Sequence, residues 1–464
     1  MLRAILKIRD RVRDLADNLP LGAAPLIILT LAAVAGIWLL FHPIEESTAT
    51  LRLWTFTHIH SDAYKIIVPA FEARHPGVTV DIGLVHGDAV TSRLRAAFWS
   101  NLNVPDLVEV EISRAGSFFR GPVDEVGFED LTPHLKAPGP GGGPSLYDRM
   151  VKTRLAPYTN RGRIFGMPHD VHPVMLAYRR DLFQELGIDP EKLVTWDDFL
   201  REGRRITVPG RRYMIHLSDS TAMYAEILLF QRDGGYFDAE GRLIMDNEAA
   251  VQTMLWYTRL VAGPNRIGSD PGFMGTAFAK ALADGYILTT LCPDWRTRSI
   301  EKDMPHLAGK MALMPLPSVG PGSRRTSTWG GTMLGITRAS RNKDLAWQLA
   351  CHLYTDPEQL AARFRETNIL PPFRDAWTQP AFSEPRPYWS GQPIGALFAA
   401  LADDIPPQYT SPFIELAKGK LGAVVAACAA YYNSRGEDGF ETFVRERLKA
   451  AAADVRRQMT RNPF

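Results

Sequence analysis

The sequence predicts an α/β chain of two lobes, preceded by one N-terminal transmembrane helix, and three observations lead there. A chain of 464 residues is too long for one hydrophobic core and suggests two lobes of ordinary domain size. From Leu51 onward, strand-like and helix-like runs alternate. Before them, Leu21 to Phe41 carry no charge and are mostly Leu, Ile, Ala and Val.

As a helix, residues 21–41 would span ~31 Å at about 1.5 Å per residue, enough for a bilayer core. Arg3, Lys7, Arg9, Arg11 and Arg13 precede this stretch, and Glu45 and Glu46 follow it. A basic leader at 1–20 is therefore expected in the cytoplasm, with the bulk of the chain outside, at the periplasmic face. A cleaved signal peptide is the competing reading, with 47–49 a fair cleavage site. The long apolar run and the residues before it favour an uncleaved anchor. No cysteine lies near enough for a lipid anchor. Leu2, Ile5, Leu6, Val12, Leu15 and Leu19 recur at helical spacing, so 1–19 is read either as an amphipathic helix or as a disordered basic leader.

In the outer part, Leu51 to Phe56 read as a buried first strand. Val78, Val80, Ile82 and Leu84 alternate as a second, and PDLVEVE (105–111) supplies a third. Strand, helix, strand opens a βαβ unit and predicts a parallel sheet. Gly139 to Pro144 and Val319 to Gly322 read as loops. Asp181 is a plausible N-cap for a helix that Gly187 stops. Thr195 caps the next helix, with Asp198 in an imperfect capping box. Leu345 to Tyr354 read as an amphipathic helix closed by Asp356 and Pro357, and two helices follow at 416–432 and 440–459. There is no internal repeat.

Composition excludes more than it identifies. With 53 basic and 51 acidic side chains, no nucleic-acid footprint is visible. Cys292, Cys351 and Cys428 are far apart, show no metal spacing and sit in apolar surroundings that favour buried free thiols. A disulfide between two of them stays open at this point.

The most telling stretch is GRIFGMPHDVHPVMLAYRRDLFQELGIDPEKLVTWDDF (162–199). It resembles the "G-x-x-Y/F-G-x-P … D-L-F … T-W-D/E-x-F" segment of the family 1 extracellular solute-binding proteins of ABC importers, a group that includes maltose- and glycerol-phosphate-binding proteins. Other segments are similar to family motifs in the same order. They are SDAYKIIVPAFEARHPGVTVDI (61–82), PDLVEVE (105–111), FEDLTP (128–133), the segments at 234–251 and 273–295, and WGGTMLGITRASRNKDLAWQ (329–348). The resemblance covers roughly residues 51–460. It implies a two-lobed periplasmic-binding-protein fold, type II-like, with discontinuous lobes and a hinge. One lobe would take 50–168 plus 333–368, the other 169–332 plus 369–464.

In open α/β sheets a ligand binds beyond the carboxyl ends of strands, which selects particular loops. After the first strand stand His58 and His60. The pair could suggest a metal, but no carboxylate or cysteine stands at metal spacing, so no metal and no cofactor is expected. Glu109 and Glu111 alternate along one strand face, and carboxylates suit sugar hydroxyls. The resemblance implies sugar contacts at Glu111, Ser113 and Arg114, and a ligand-facing position at Asp170 and His172. Trp295 matches a stacking tryptophan of the family, since pyranose faces stack on aromatic rings. Trp329 precedes Gly330 and Gly331, where backbone amides could approach a ligand. Arg374 lies in a loop that contributes polar contacts in relatives. Trp54 and Trp196 are expected in the core.

The resemblance thus implies a non-catalytic receptor. It would bind a carbohydrate or polyol derivative between its lobes and deliver it to an ABC permease. A membrane-tethered sensor is one alternative. A glycoside hydrolase using Glu109 and Glu111 is another, disfavoured because the two carboxylates would share one environment and no nucleophile motif is present.

Overall fold

The computed structural model describes residues 24–41 and 48–462. The basic leader and any helix at 1–19 lie outside the described residues. The chain forms two units, divided after Thr48. In the first, Ala24–Phe41 is an 18-residue helix, ~27 Å long at about 1.5 Å per residue. Ile27, Ile28, Leu29, Leu31, Val34, Ile37 and Trp38 are exposed along it. Among the described residues no helix is long and apolar enough to cross a membrane. The transmembrane helix expected over 21–41 is therefore not supported by the described residues.

The second unit holds the strands β1 (Leu51–Thr55), β2 (Val80–Leu84), β3 (Leu107–Glu111), β4 (Met167–Pro168), β5 (Val174–Arg179), β6 (Tyr213–His216), β7 (Gly268–Ser269), β8 (Ile287–Pro293), β9 (Met311–Pro315) and β10 (Thr332–Ile336). They form two five-stranded sheets, ordered β2-β1-β3-β10-β4 and β9-β5-β8-β6-β7. Each sheet carries its own helices, giving two lobes of mixed α/β structure. The expected parallel sheet holds for β1, β2 and β3, but β10 runs antiparallel to both β3 and β4.

The reason is geometric. Thr332, at the start of β10, pairs with Glu111, at the end of β3. The chain thus enters the first sheet at its carboxyl edge, and a strand entering there must oppose the strands that end there. The second sheet repeats this logic, with Val174 at the start of β5 facing Pro293 at the end of β8. The carboxyl ends of the parallel strands in both sheets therefore face the crossovers, where ligands bind in open sheets.

Strand β5 is buried on both faces. Val174, Leu176 and Tyr178 join one core, while Met175 and Ala177 join another that also takes Leu51 and Leu107 from the first sheet. The side-chain period of two sends alternate residues to opposite layers.

The helix ends largely follow sequence. The Thr195–Asp198 box at the head of Trp196–Ile206 is complete, with side chain and backbone bonded in both directions. Trp196 is buried and donates its indole N–H to Gln231 Oε1 at 2.9 Å, the core role expected of it. Asp181 does not cap its helix. Arg179 precedes Arg180–Glu185, and Asp181 pairs with that arginine instead. Asp356 and Pro357 open the helix Pro357–Thr367 with a side-chain cap, rather than merely ending Lys343–Tyr354. All three cysteines are free, Cys292 and Cys428 fully buried.

Candidate functional site

Two crossovers, 169–173 and 316–331, join one sheet to the other, and a third segment, 368–373, leads on from the helix Pro357–Thr367. They lie side by side. His169 N–H donates to Thr332 O at 2.9 Å, Val171 N–H to Leu370 O at 3.0 Å, and Val174 N–H to Ser327 O at 3.1 Å.

Between them sits a buried ionic network. Asp170 Oδ1 accepts from Arg154 Nη2 at 3.0 Å, and Oδ2 accepts from Thr332 N–H at 3.0 Å and lies 3.1 Å from His172 Nε2. The other ring nitrogen, Nδ1, is 2.5 Å from Asp294 Oδ1. Asp294 Oδ2 in turn accepts Leu370 N–H at 2.7 Å, so the network reaches the third segment.

An imidazole between two carboxylates is held charged. Burial opposes that charge, but Asp170 and Asp294 raise the pKa of His172 to about 9. Burial would likewise raise Asp170, yet His172, His169 and Arg154 hold its carboxyl well below the usual carboxylate range. His172 also adopts a left-handed backbone, φ 54°, uncommon outside glycine and a sign that the surroundings fix it. Arg154, fully buried, was not singled out by sequence. An arginine in an unremarkable stretch carries no periodic signal.

The tryptophans lie beside this network. Trp295 donates its indole N–H to Trp329 O at 3.0 Å, and their rings meet edge-on at 5.4 Å. Trp329 is packed into the second lobe against Tyr224 and Phe273, with the Arg296 guanidinium 5.2 Å above its ring. Gly330 has φ +88°, and a Cβ there would stand 3.2 Å from Trp295 Nε1 and 3.4 Å from His172 Cδ2. The space that a side chain would need is thus taken by these two residues.

The two glutamates of β3 part company. Glu109 is buried inside the first lobe, where it accepts from Thr55 Oγ1 at 2.5 Å, Tyr354 OH at 2.6 Å, Tyr64 OH and His60 Nδ1 at 2.9 Å. Burial works against its charge, but His60 and these donors pull its pKa far below the usual range. Glu111 caps the short helix Ile112–Ala115 through Ser113 N–H at 2.9 Å and the Ser113 hydroxyl. Its pKa is raised, chiefly by burial and only partly offset by Lys418. The single environment expected for the pair is not found. The strand ends at Glu111, and the turn into the helix redirects that side chain.

Around Ser113 the lobes touch. Arg114 pairs with Asp88 at 2.5 Å and with Glu415 at 2.8 Å, on the C-terminal helix Ile414–Arg435. Lys418 of that helix pairs with Glu226 Oε1 at 3.1 Å, and Tyr236 OH donates to Glu226 Oε2 at 2.8 Å. Gly116 packs against the 410–411 backbone so closely that a Cβ would meet Ser411 O at 2.5 Å.

Two spaces open here. One of about 30 Å³ is lined by Ser113, Tyr236, Gln408, Thr410 and Lys418 among others. A groove of about 800 Å³ runs beside it, lined on one side by Phe119, Lys152 and Arg161 and on the other by Asp238, Tyr409 and Phe413. Gln408 Oε1 and Thr410 Oγ1 are buried without a partner among the described residues.

Of the residues singled out by sequence, Ser113 alone lines either space. His58 is exposed, its ring 6.2 Å from that of His86. Arg374 is also exposed, paired with Asp403 and donating to Met150 O at 3.2 Å. The aromatic and basic groove residues lie in loops, where no pattern marks them. One further group escaped the sequence reading: ligand atoms of His60, Glu109 and His169 lie within 4.8 Å of one another.

Comparison with known proteins places the whole arrangement. The family model for bacterial extracellular solute-binding proteins matches residues 58–360. The chain belongs to that family. Among similar solute-binding proteins, the arabinooligosaccharide-binding protein of Bacillus subtilis (strain 168) is 24% identical over 375 residues, 79% of this chain and 84% of that one. The lactose-binding protein of Rhizobium radiobacter is 25% identical over 352 residues, 72% and 78% of the two chains. In fold, the chain is similar to the sugar-binding protein MalE from Xanthomonas citri, with TM-score 0.72 and 18% identity, covering 89% of this chain and 100% of that one.

Proposed function

We propose that this solute-binding protein is the substrate-binding component of an ABC importer. It takes a carbohydrate, a mono- or oligosaccharide or a polyol derivative, between its lobes and delivers it to a membrane permease. The observation that carries this reading is the groove of about 800 Å³ lined from both lobes. Tyr409, exposed, offers a ring face there, with Tyr147 and Phe413 beside it, while Asn160 and Asp238 offer polar groups. Apolar faces flanked by polar groups suit a sugar ring, which has C–H faces and a hydroxyl rim. The relatives named for arabinooligosaccharides and lactose support the same class of ligand.

The lobes take the boundaries read from sequence, and the three segments form the hinge on which they close. Trp295, Trp329 and Gly330, with Asp170 and His172 behind them, stand at the crossovers beside the groove, and Ser113, between Glu111 and Arg114, lines the small space next to it.

The hydrolase alternative loses ground on geometry. All the hydrogen bonds to Glu109 come from within the first lobe, which leaves it no substrate to protonate or attack. Residence outside the cytoplasmic membrane accords with the family. Tethering by the N-terminal segment rests on its sequence alone, and carbonate washing of membranes containing the full chain tests it.

The experiment for ligand binding is a thermal-shift and calorimetric screen of the purified chain. Arabino-oligosaccharides, lactose, maltodextrins and phosphorylated polyols form the panel. A ligand bound only by the folded protein raises Tm, because it adds about 2.7 kcal/mol of stability at a hundredfold excess over Kd. A panel without any shift, or chemical turnover of a sugar, would contradict the receptor reading.

A further inference from the structure

One buried group of donors plays no part in the reading above. His60 comes from the helix His58–Arg74, Glu109 from β3 and His169 from the first crossover, and all three are buried. A ligand atom of each lies within 4.8 Å of the other two. We propose that these three side chains bind one divalent transition-metal ion, with zinc the best match to two imidazoles and a carboxylate.

Independent support comes from His169. It is fully buried, yet neither ring nitrogen has a hydrogen-bond partner among the described residues. Buried polar groups are rarely left so. Its Nδ1 stands 3.4 Å from Asp170 Oδ2, an ion-pair separation on the side from which a carboxylate orients a metal-bound histidine. With Nδ1–H turned to Asp170, Nε2 becomes the donor to the ion.

Glu109 is prepared in the same way. Tyr64 and Tyr354 both donate to Oε1, leaving Oε2 to face His60 and Thr55. Two features oppose binding and define what it requires. The rings of His60 and His169 stack at 4.0 Å, so His169 must turn out of the stack to share an ion. Arg363 donates to His169 O at 3.0 Å, and its charge must be offset by Glu109 and Asp170 together. An ion held there ties the helix His58–Arg74 and β3 to the crossover that carries Asp170. It stiffens the base of the hinge rather than touching the solute.

Because the donors are buried, the ion is taken up during folding. The full chain is therefore unfolded with chelator, refolded with or without zinc chloride, desalted, and its metal counted by mass spectrometry. About one zinc per chain and a higher Tm than the zinc-free sample are expected. Cobalt in place of zinc gives intense visible absorption from a four-coordinate site. His169→Gln abolishes both signals. The exposed pair His58 and His86 is the competing source, and the variant H58A/H86A keeps the metal if the buried site holds it. Zinc-free refolded protein, retention of zinc by His169→Gln, or its loss from H58A/H86A would overturn the proposal. If His169→Gln does not fold, the cobalt spectrum of the unmodified chain decides, and its absence counts against the site.

Discussion

The crossover network and the lobe-facing groove are neighbours with opposite chemistry. At the crossovers Arg154, Asp170, His172 and Asp294 are buried and engage one another or backbone amides. At the groove Lys152, Arg161 and Tyr409 are open to solvent, and Thr410 has a buried hydroxyl with no partner among the described residues. A saturated buried network makes a fixed geometry, because losing one member strands the others. A lining with unspent hydrogen-bonding capacity leaves that capacity for a solute. The same residue types therefore serve structure in one place and, on the function proposed above, recognition in the other.

The hardest test of this contrast is Asp170→Ala. It leaves Arg154 and His172 charged and buried without their partner, and should cost about 3–5 kcal/mol of unfolding free energy. Urea titration measures it, and a cost below about 1 kcal/mol would erase the distinction between the regions. Next in size is the pH dependence of the same network. The folded pKa of His172 is about 9, against about 6.5 unfolded. Its contribution is fully present below the unfolded value and is lost as pH rises through the folded one. Between pH 7 and 10 the chain should lose on the order of 3 kcal/mol. His172→Gln should flatten that slope, and an unchanged slope in the variant would assign it elsewhere.

The groove should answer in affinity rather than stability. Tyr409→Ala is expected to weaken sugar binding about tenfold, or ~1.4 kcal/mol, with little change in Tm. Calorimetry and melting on one preparation separate the two effects. Trp295→Ala sharpens the comparison because it stands at the border, where loss of both affinity and stability is expected. The smallest effect belongs to Arg374→Ala. Its pair with Asp403 is exposed, and removal should change stability by no more than about 1 kcal/mol.

Much of the fold was legible because it rests on local rules. The alternation in Val80–Leu84, the Thr195 box and the long helical runs at 416–432 and 440–459 need only a few residues of context. The antiparallel β10 was not legible, since its direction depends on where the chain re-enters the first lobe. The site was legible in its motifs but not in its geometry. Nothing in PDLVEVE says that Glu109 turns inward while Glu111 turns to cap a helix. Nor does local sequence announce that Glu109 meets His60 and His169, or that Arg154 meets Asp170. Tyr409 and Arg161 line one groove from loops nearly 250 residues apart, and only the closed fold brings them together.

The three segments 169–173, 316–331 and 368–373 lie abreast, laced by backbone bonds from His169 to Thr332 and from Val171 to Leu370. A single connecting thread would let the lobes swing and twirl freely. A flat band of three bends about one line and resists twisting and sliding. On the function proposed above, lobes carried on such a band approach along a single arc, and opposite walls of the groove meet in the same register at each closure. Aim, in this molecule, is supplied by the strap rather than by the jaws.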